Sequence, residues 1–303
     1  MRRRRARLLA TGLATLALLA SCSSGADEPD DLARQVEDVT DASPPAIDRY
    51  VALGDSFTAA PLVPTTDIAG GCFRSDGNYP ALVAERLDID ALVDVSCSGA
   101  RTDDLTGRQR TVRDASVPPQ LRVLDRRTDL VTLGIGGNDF DLFHTLVATC
   151  SRLRSREPAG SPCAQELDAR GVDLVAETDK ISRRVEAAVR RIQARAPEAR
   201  VLLVGYLRLT PSDGRCAALP FANGDYAFGE RVSGALNEAL ARAARRTGVE
   251  FVDMYAKSEG HDVCSEDPWV NGIRTVEGEA LAFHPFAAGM DAVAAEVVER
   301  LSG

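Results

Sequence analysis

The chain has 303 residues, 45% hydrophobic, 27% charged and 5% aromatic, with a formal net charge of −9. That length suits one large domain. An acidic surface repels phosphate backbones, so nucleic acid is excluded as a partner.

Read from the start, Met1 is followed by Arg2 to Arg5 and Arg7, then an apolar run from Leu8 to Ala20. A basic head before a run this short predicts an export signal over residues 1–21 and not a membrane span. The run ends Leu19-Ala20-Ser21-Cys22, which resembles the bacterial lipoprotein box. The resemblance implies lipidation of Cys22 and a protein held on the outer face of a membrane, or secreted. Removing residues 1–21 takes five arginines and no acid, leaving 31 basic residues against 45 acidic. Residues 22–45, rich in Ser, Asp, Glu and Pro, bury too little apolar surface to fold and read as a flexible tether. The folded domain is expected over 46–303.

Within it, short apolar runs alternate with helical patterns. Strands are expected at Tyr50–Leu53, Ala91–Val95, Leu130–Leu133, Val201–Val204 and Phe251–Met254. Helices are expected at about 79–87, 165–194, 226–246 and 287–301. In the last, Met290, Val293, Ala294, Val297, Val298 and Leu301 recur on one inner face. Continuously apolar strands separated by helices predict a five-stranded parallel sheet covered on both faces. Ligands in such folds sit beyond the carboxyl ends of the strands.

Cys22 aside, six cysteines remain: Cys72, Cys97, Cys150, Cys163, Cys216 and Cys264. An even number in an exported chain reads as a disulfide set, and their spacing permits fifteen connectivities. No Cys-x-x-Cys pair occurs and the histidines lie apart from them, so no metal is expected.

The first three strands end in polar, glycine-containing turns: Gly54-Asp55-Ser56-Phe57-Thr58, Ser96-Cys97-Ser98-Gly99-Ala100 and Gly136-Gly137-Asn138-Asp139. Together they offer a serine nucleophile, backbone amides and an asparagine amide at one sheet edge. Thr58 breaks the G-x-S-x-G elbow of α/β-hydrolases, and the serine follows the first strand, so that template is rejected.

In block order the chain resembles the SGNH, or GDSL, hydrolase superfamily: GDSFTAA at 54–60, Ser98-Gly99, GGND at 136–139, and Ala282-Phe283-His284-Pro285 entering the last helix. The likeness is strongest to secreted, disulfide-bearing actinobacterial lipases and esterases. It implies a three-layer α/β/α sandwich (SGNH-hydrolase/flavodoxin-like) and the sequential disulfides Cys72–Cys97, Cys150–Cys163 and Cys216–Cys264. It also implies Ser56 as nucleophile, His284 as base, and an oxyanion hole from the Ser56 amide, the Gly99 amide and the Asn138 side chain. No cofactor is implied. The family's usual aspartate, three residues before the histidine, is replaced here by Leu281. A Ser–His dyad is therefore expected, with the Leu281 carbonyl orienting the imidazole; Glu277 and Glu279 are in the wrong register. Asp55 and Asp139 are expected to anchor their turns.

Of the other histidines, His144 reads as a surface or packing residue and His261 as a candidate for the pocket rim. Trp269, the only tryptophan, would line an acyl groove or pack its loop, and the segment 209–224 would form the opposite wall. The expected protein is a monomeric serine carboxylester hydrolase of lipase or esterase type, acting on a small-molecule or lipid ester. The alternatives are an O-acetyl esterase of carbohydrate or cell wall, and a non-catalytic ligand-binding lipoprotein.

Overall fold

The computed structural model describes residues 47–302. The expected signal segment, Cys22 and the tether lie outside the described residues. Among those described, no helix is long and apolar enough to cross a membrane.

Five parallel strands, β1 (Arg49–Gly54), β2 (Ala91–Asp94), β3 (Leu130–Gly134), β4 (Arg200–Val204) and β5 (Glu250–Val252), form one sheet in the order β2-β1-β3-β4-β5. The order reverses at β1, so the crevice beyond the ends of β1 and β3 is where such a fold places a ligand. Every residue of β3 is buried, as is all of β1 after Arg49. That explains why these strands read as unbroken apolar runs and not as alternating ones.

The helices are α1 (Tyr79–Arg86), α2 (Leu142–Leu153), α3 (Pro162–Ala169), α4 (Leu174–Arg195), α5 (Asp225–Thr247) and α6 (Ala287–Ser302). α1 packs on α6 and α4 on α5, covering the sheet on both sides. The architecture is thus the expected three-layer α/β/α sandwich. Val185, Val189 and Ile192 give α4 its buried stripe, and Asp173 caps it by accepting a hydrogen bond from the Ala176 amide at 3.0 Å.

Several boundaries differ from expectation. The single helix expected at 165–194 is α3 and α4, separated at Gly171, whose φ of +67° ends the first. The fifth strand stops at Val252, because the Asp253 side chain caps a one-turn helix beginning at Met254. The sequence pattern sets no bounds for α2 and gives no sign of two short hairpins (66–67 with 74–75, 109–110 with 116–117) that the structure contains. The disulfides join Cys72 to Cys97, Cys150 to Cys163 and Cys216 to Cys264, the pairing that the resemblance implies.

Candidate active site

β1 and β3 run in register to their ends, with Gly54 beside Gly134. A Cβ on Gly54 would lie 2.6 Å from the Gly134 carbonyl oxygen, so only glycine lets the two turns approach this closely. Gln120, buried and unanticipated, pins the same point from the side. Its amide accepts from Gly54 N and donates to Gly54 O, both at 2.9 Å.

Ser56 opens a one-turn helix, Ser56–Ala59, and the residue that caps this turn is Asp55. One Asp55 carboxylate oxygen accepts from the Phe57 amide at 2.9 Å; the other accepts from the Tyr206 hydroxyl. That hydroxyl in turn accepts from Gly137 N at 2.7 Å, so a buried carboxyl and a phenol join the nucleophile turn to the third turn. Burial pushes the Asp55 carboxyl up to about 7, against the pull of the Tyr206 hydroxyl and the Phe57 amide.

Gly99 sits at φ +79°, in the left-handed region, and a Cβ there would meet nothing within 4 Å. The requirement for glycine is therefore one of backbone conformation more than of space. Asn138 donates to the Ala100 carbonyl at 3.0 Å with one amide hydrogen, which leaves the other free. Asp139, wholly buried, accepts from both the amide and the hydroxyl of Thr102 and thereby ties the third turn to the second.

His284 lies on an irregular segment just before α6. Its Nδ1 is 2.7 Å from the carbonyl oxygen of Ala282. A carbonyl can only accept, so Nδ1 carries the hydrogen and Nε2 keeps its lone pair. This corrects the expected partner, Leu281. With Phe283 at φ +60°, the chain turns so that the Ala282 oxygen meets the ring, while the Leu281 oxygen accepts from the His284 backbone amide at 3.1 Å. Burial holds the imidazole below its ordinary pKa, with the Ala282 carbonyl opposing. Glu277 and Glu279 are exposed, and among the described residues no carboxylate hydrogen-bonds the ring.

Ser56, Asn138 and His284 line one cavity of about 220 Å³. No hydrogen bond joins the Ser56 hydroxyl to the imidazole; such bonds often tighten only when substrate is seated. The remaining wall is mostly apolar, from Phe57, Phe143, Val147, Leu209 and Phe283. Phe57 and Phe143 stack at 6.1 Å, both meet Tyr206 edge-on, and the Phe57 ring lies 5.6 Å from that of His284.

Three expectations about the wall change. His144 lines the cavity instead of serving only as surface or packing. His261 does not line it: its ring is held by the Asp267 carbonyl and stacks at 3.9 Å on Trp269, which takes the second of its two expected roles, packing within its loop. Of the segment 209–224 only Leu209 reaches the cavity. Phe143 and Val147, four residues apart on α2, escaped notice because that helix was not delimited; their i, i+4 spacing was the available signal. Among the described residues no His, Cys, Asp and Glu side chains gather in threes as a metal site would need.

A family model described as GDSL-like Lipase/Acylhydrolase matches residues 52–292. "Lipase 2" of Streptomyces coelicolor is 39% identical over 259 residues, covering 81% of this chain and 82% of that one. Among solved structures, phospholipase A1 from Streptomyces albidoflavus superposes with a TM-score of 0.70 at 28% identity, over 85% of this chain and all of its own. The extracellular lipase of Streptomyces rimosus gives 0.63 at 27%, over 84% of this chain and 99% of its own.

Proposed function

The chain belongs to the GDSL-like lipase/acylhydrolase family and is a serine ester hydrolase; from that premise we propose that it cleaves carboxylic esters of lipids through a Ser56–His284 dyad. The observation that supports this reading is the cavity that Ser56 and His284 both line, with Nδ1 of the ring committed to the Ala282 carbonyl. With its proton affinity held down, the part-buried ring can act as a base, and Nε2 takes the proton as Ser56 Oγ attacks the ester carbonyl. The resulting oxyanion is met by the Ser56 and Gly99 amides and by the free hydrogen of the Asn138 amide. His284 then protonates the departing alkoxide. A water molecule, deprotonated by the same ring, cleaves the acyl-enzyme and restores Ser56. The Ala282 carbonyl fixes the tautomer, as a carboxylate would, but stabilises the imidazolium less.

The apolar wall of Phe57, Phe143, Val147 and Leu209 suits an acyl chain longer than acetyl. Nitrophenyl esters of graded length test this: activity rising beyond acetate supports a lipid ester, and activity confined to acetate would assign the site to O-acetyl groups. The dyad has its own test. Glu277→Gln and Glu279→Gln are each expected to leave kcat within about twofold, since exposed carboxylates away from the ring contribute little. A loss of about a thousand-fold from either, the scale of a true triad member, would replace the dyad.

Three disulfides suit an oxidising compartment. With the basic head and apolar run at the start of the chain, this supports export and anchoring by an acylated Cys22. Mass spectrometry of the mature N-terminus checks the anchor: an unmodified Cys22, or cleavage elsewhere, removes it.

A further inference from the structure

We infer that Asn271 is a positioning residue for the His284 imidazole. The inference rests on the dyad reading and says what keeps that dyad in register.

His284 stands on neither a helix nor a strand, and its orienting partner, the Ala282 carbonyl, belongs to the same short turn. A partner two residues away fixes the ring only if the turn itself is fixed. That turn is not self-supporting, because Phe283 occupies the left-handed region at φ +60°, where a side chain is disfavoured. The support comes from the segment 270–272 alongside it.

Asn271 is 6% exposed and makes four contacts with the turn and the loop that leads into it. Its backbone amide donates to the His284 carbonyl at 2.8 Å. Its side-chain nitrogen faces the carbonyl oxygens of Arg274 at 2.7 Å, Ala280 at 3.1 Å and Leu281 at 3.2 Å. All three neighbours are acceptors, so the amide nitrogen, and not its oxygen, must point at them. Flanking contacts continue the clasp: Phe283 N donates to Gly272 O at 2.9 Å, and Val270 bridges Pro285. Asn271 thus closes the loop 274–281 on itself and holds the turn that carries Ala282, without touching the imidazole. Among the described residues no acidic side chain hydrogen-bonds the ring, so its orientation depends on the turn.

Asparagine is the side chain that meets this demand. Aspartate has the same shape but would set a charge against three carbonyl oxygens, and alanine would take the Arg274 oxygen's donor and leave the Ala280 and Leu281 oxygens only their backbone donors, Val276 N and His284 N. The test compares Asn271→Ala, Asn271→Asp and Asn271→Ser with the wild type, all with disulfides intact and assayed well below their measured Tm.

A misplacement of about 1 Å away from the chemistry costs on the order of a hundred-fold in rate. Asn271→Ala and Asn271→Asp should therefore lower kcat about a hundred-fold with KM changed by less than about threefold. Labelling of Ser56 by a fluorophosphonate should slow in parallel, and Asn271→Ser, which keeps one donor, should fall between. In Asn271→Ala the acid limb of kcat/KM should also move to higher pH, because a loosened ring regains water and with it proton affinity. The groups facing His284 remain in place for this comparison: Asp55 and Tyr206 across the cavity, His144 from α2, and the exposed Glu277 and Glu279 ahead of it in the chain.

A lowered Tm with kcat and acid limb unchanged in Asn271→Ala or Asn271→Ser would make Asn271 merely structural and overturn the inference. Absence of labelling in the wild type would instead overturn the dyad reading, whatever the variants do.

Discussion

Ser56→Ala is expected to lower kcat by about 10⁴- to 10⁶-fold, the range seen when the nucleophile of a serine hydrolase is removed. The residual rate would come from the oxyanion donors and substrate binding alone. Covalent labelling by a fluorophosphonate should vanish with it. The fold should not change, because the hydroxyl bonds no other described residue and the cap of its turn belongs to Asp55. Circular dichroism and Tm are the controls. His284→Ala should fall as far, and the double variant should be little worse than either single one, because nucleophile and base act as a unit. A Ser56→Ala protein that keeps more than about one part in a hundred of its activity would place the chemistry elsewhere, since its expected residue lies orders of magnitude lower.

The second large effect falls on Asn138. Removing one preorganised oxyanion donor costs about 10²–10³ in kcat, so Asn138→Ala should lose that much turnover with KM little altered. The split matters: a donor aimed at developing charge acts in the transition state, whereas one that merely holds the ground-state carbonyl would raise KM and spare kcat. Asn138→Asp should be at least as slow, since it sets a carboxylate where the oxyanion develops. Loss of the bond to the Ala100 carbonyl accompanies either change. Thr102 and Asp139 still clasp the second and third turns together, so the displacement of Gly99 is limited.

Much of this site is legible in the amino-acid sequence. The strands could be read because β1 and β3 are buried on both faces, which leaves an unbroken apolar signal. The turns could be read because their glycines answer to local demands, as at Gly54 beside Gly134 and at Gly99 with its positive φ. The residues that passed unseen act across the fold. Gln120 reaches Gly54 over 66 positions, and Tyr206 reaches Asp55 over 151. Neither has a local pattern that announces it.

The orienting carbonyl was misplaced by one residue for a related reason. Counting back three from His284, as for the missing aspartate, presumes an ordinary turn. Phe283 in the left-handed region shifts which oxygen meets the ring, and a phenylalanine gives no warning of that conformation. Trp269 shows an ambiguity that only the fold resolves. A lone aromatic in a long loop suits a substrate wall or loop packing equally, and stacking on His261 decides for packing.

α2 is a beam pinned at both ends. Near its start Phe143 is wedged against Phe57 and Tyr206, and at its far end Cys150 is bolted to Cys163 at the head of α3. Val147 lies at mid-span, facing the cavity from neither anchor. Bulk can be added or shaved there while the anchors, and the strand ends that do the chemistry, stay where they are. On the proposed reaction, the residue that would gauge an acyl chain is thus held apart from the residues that would cut it.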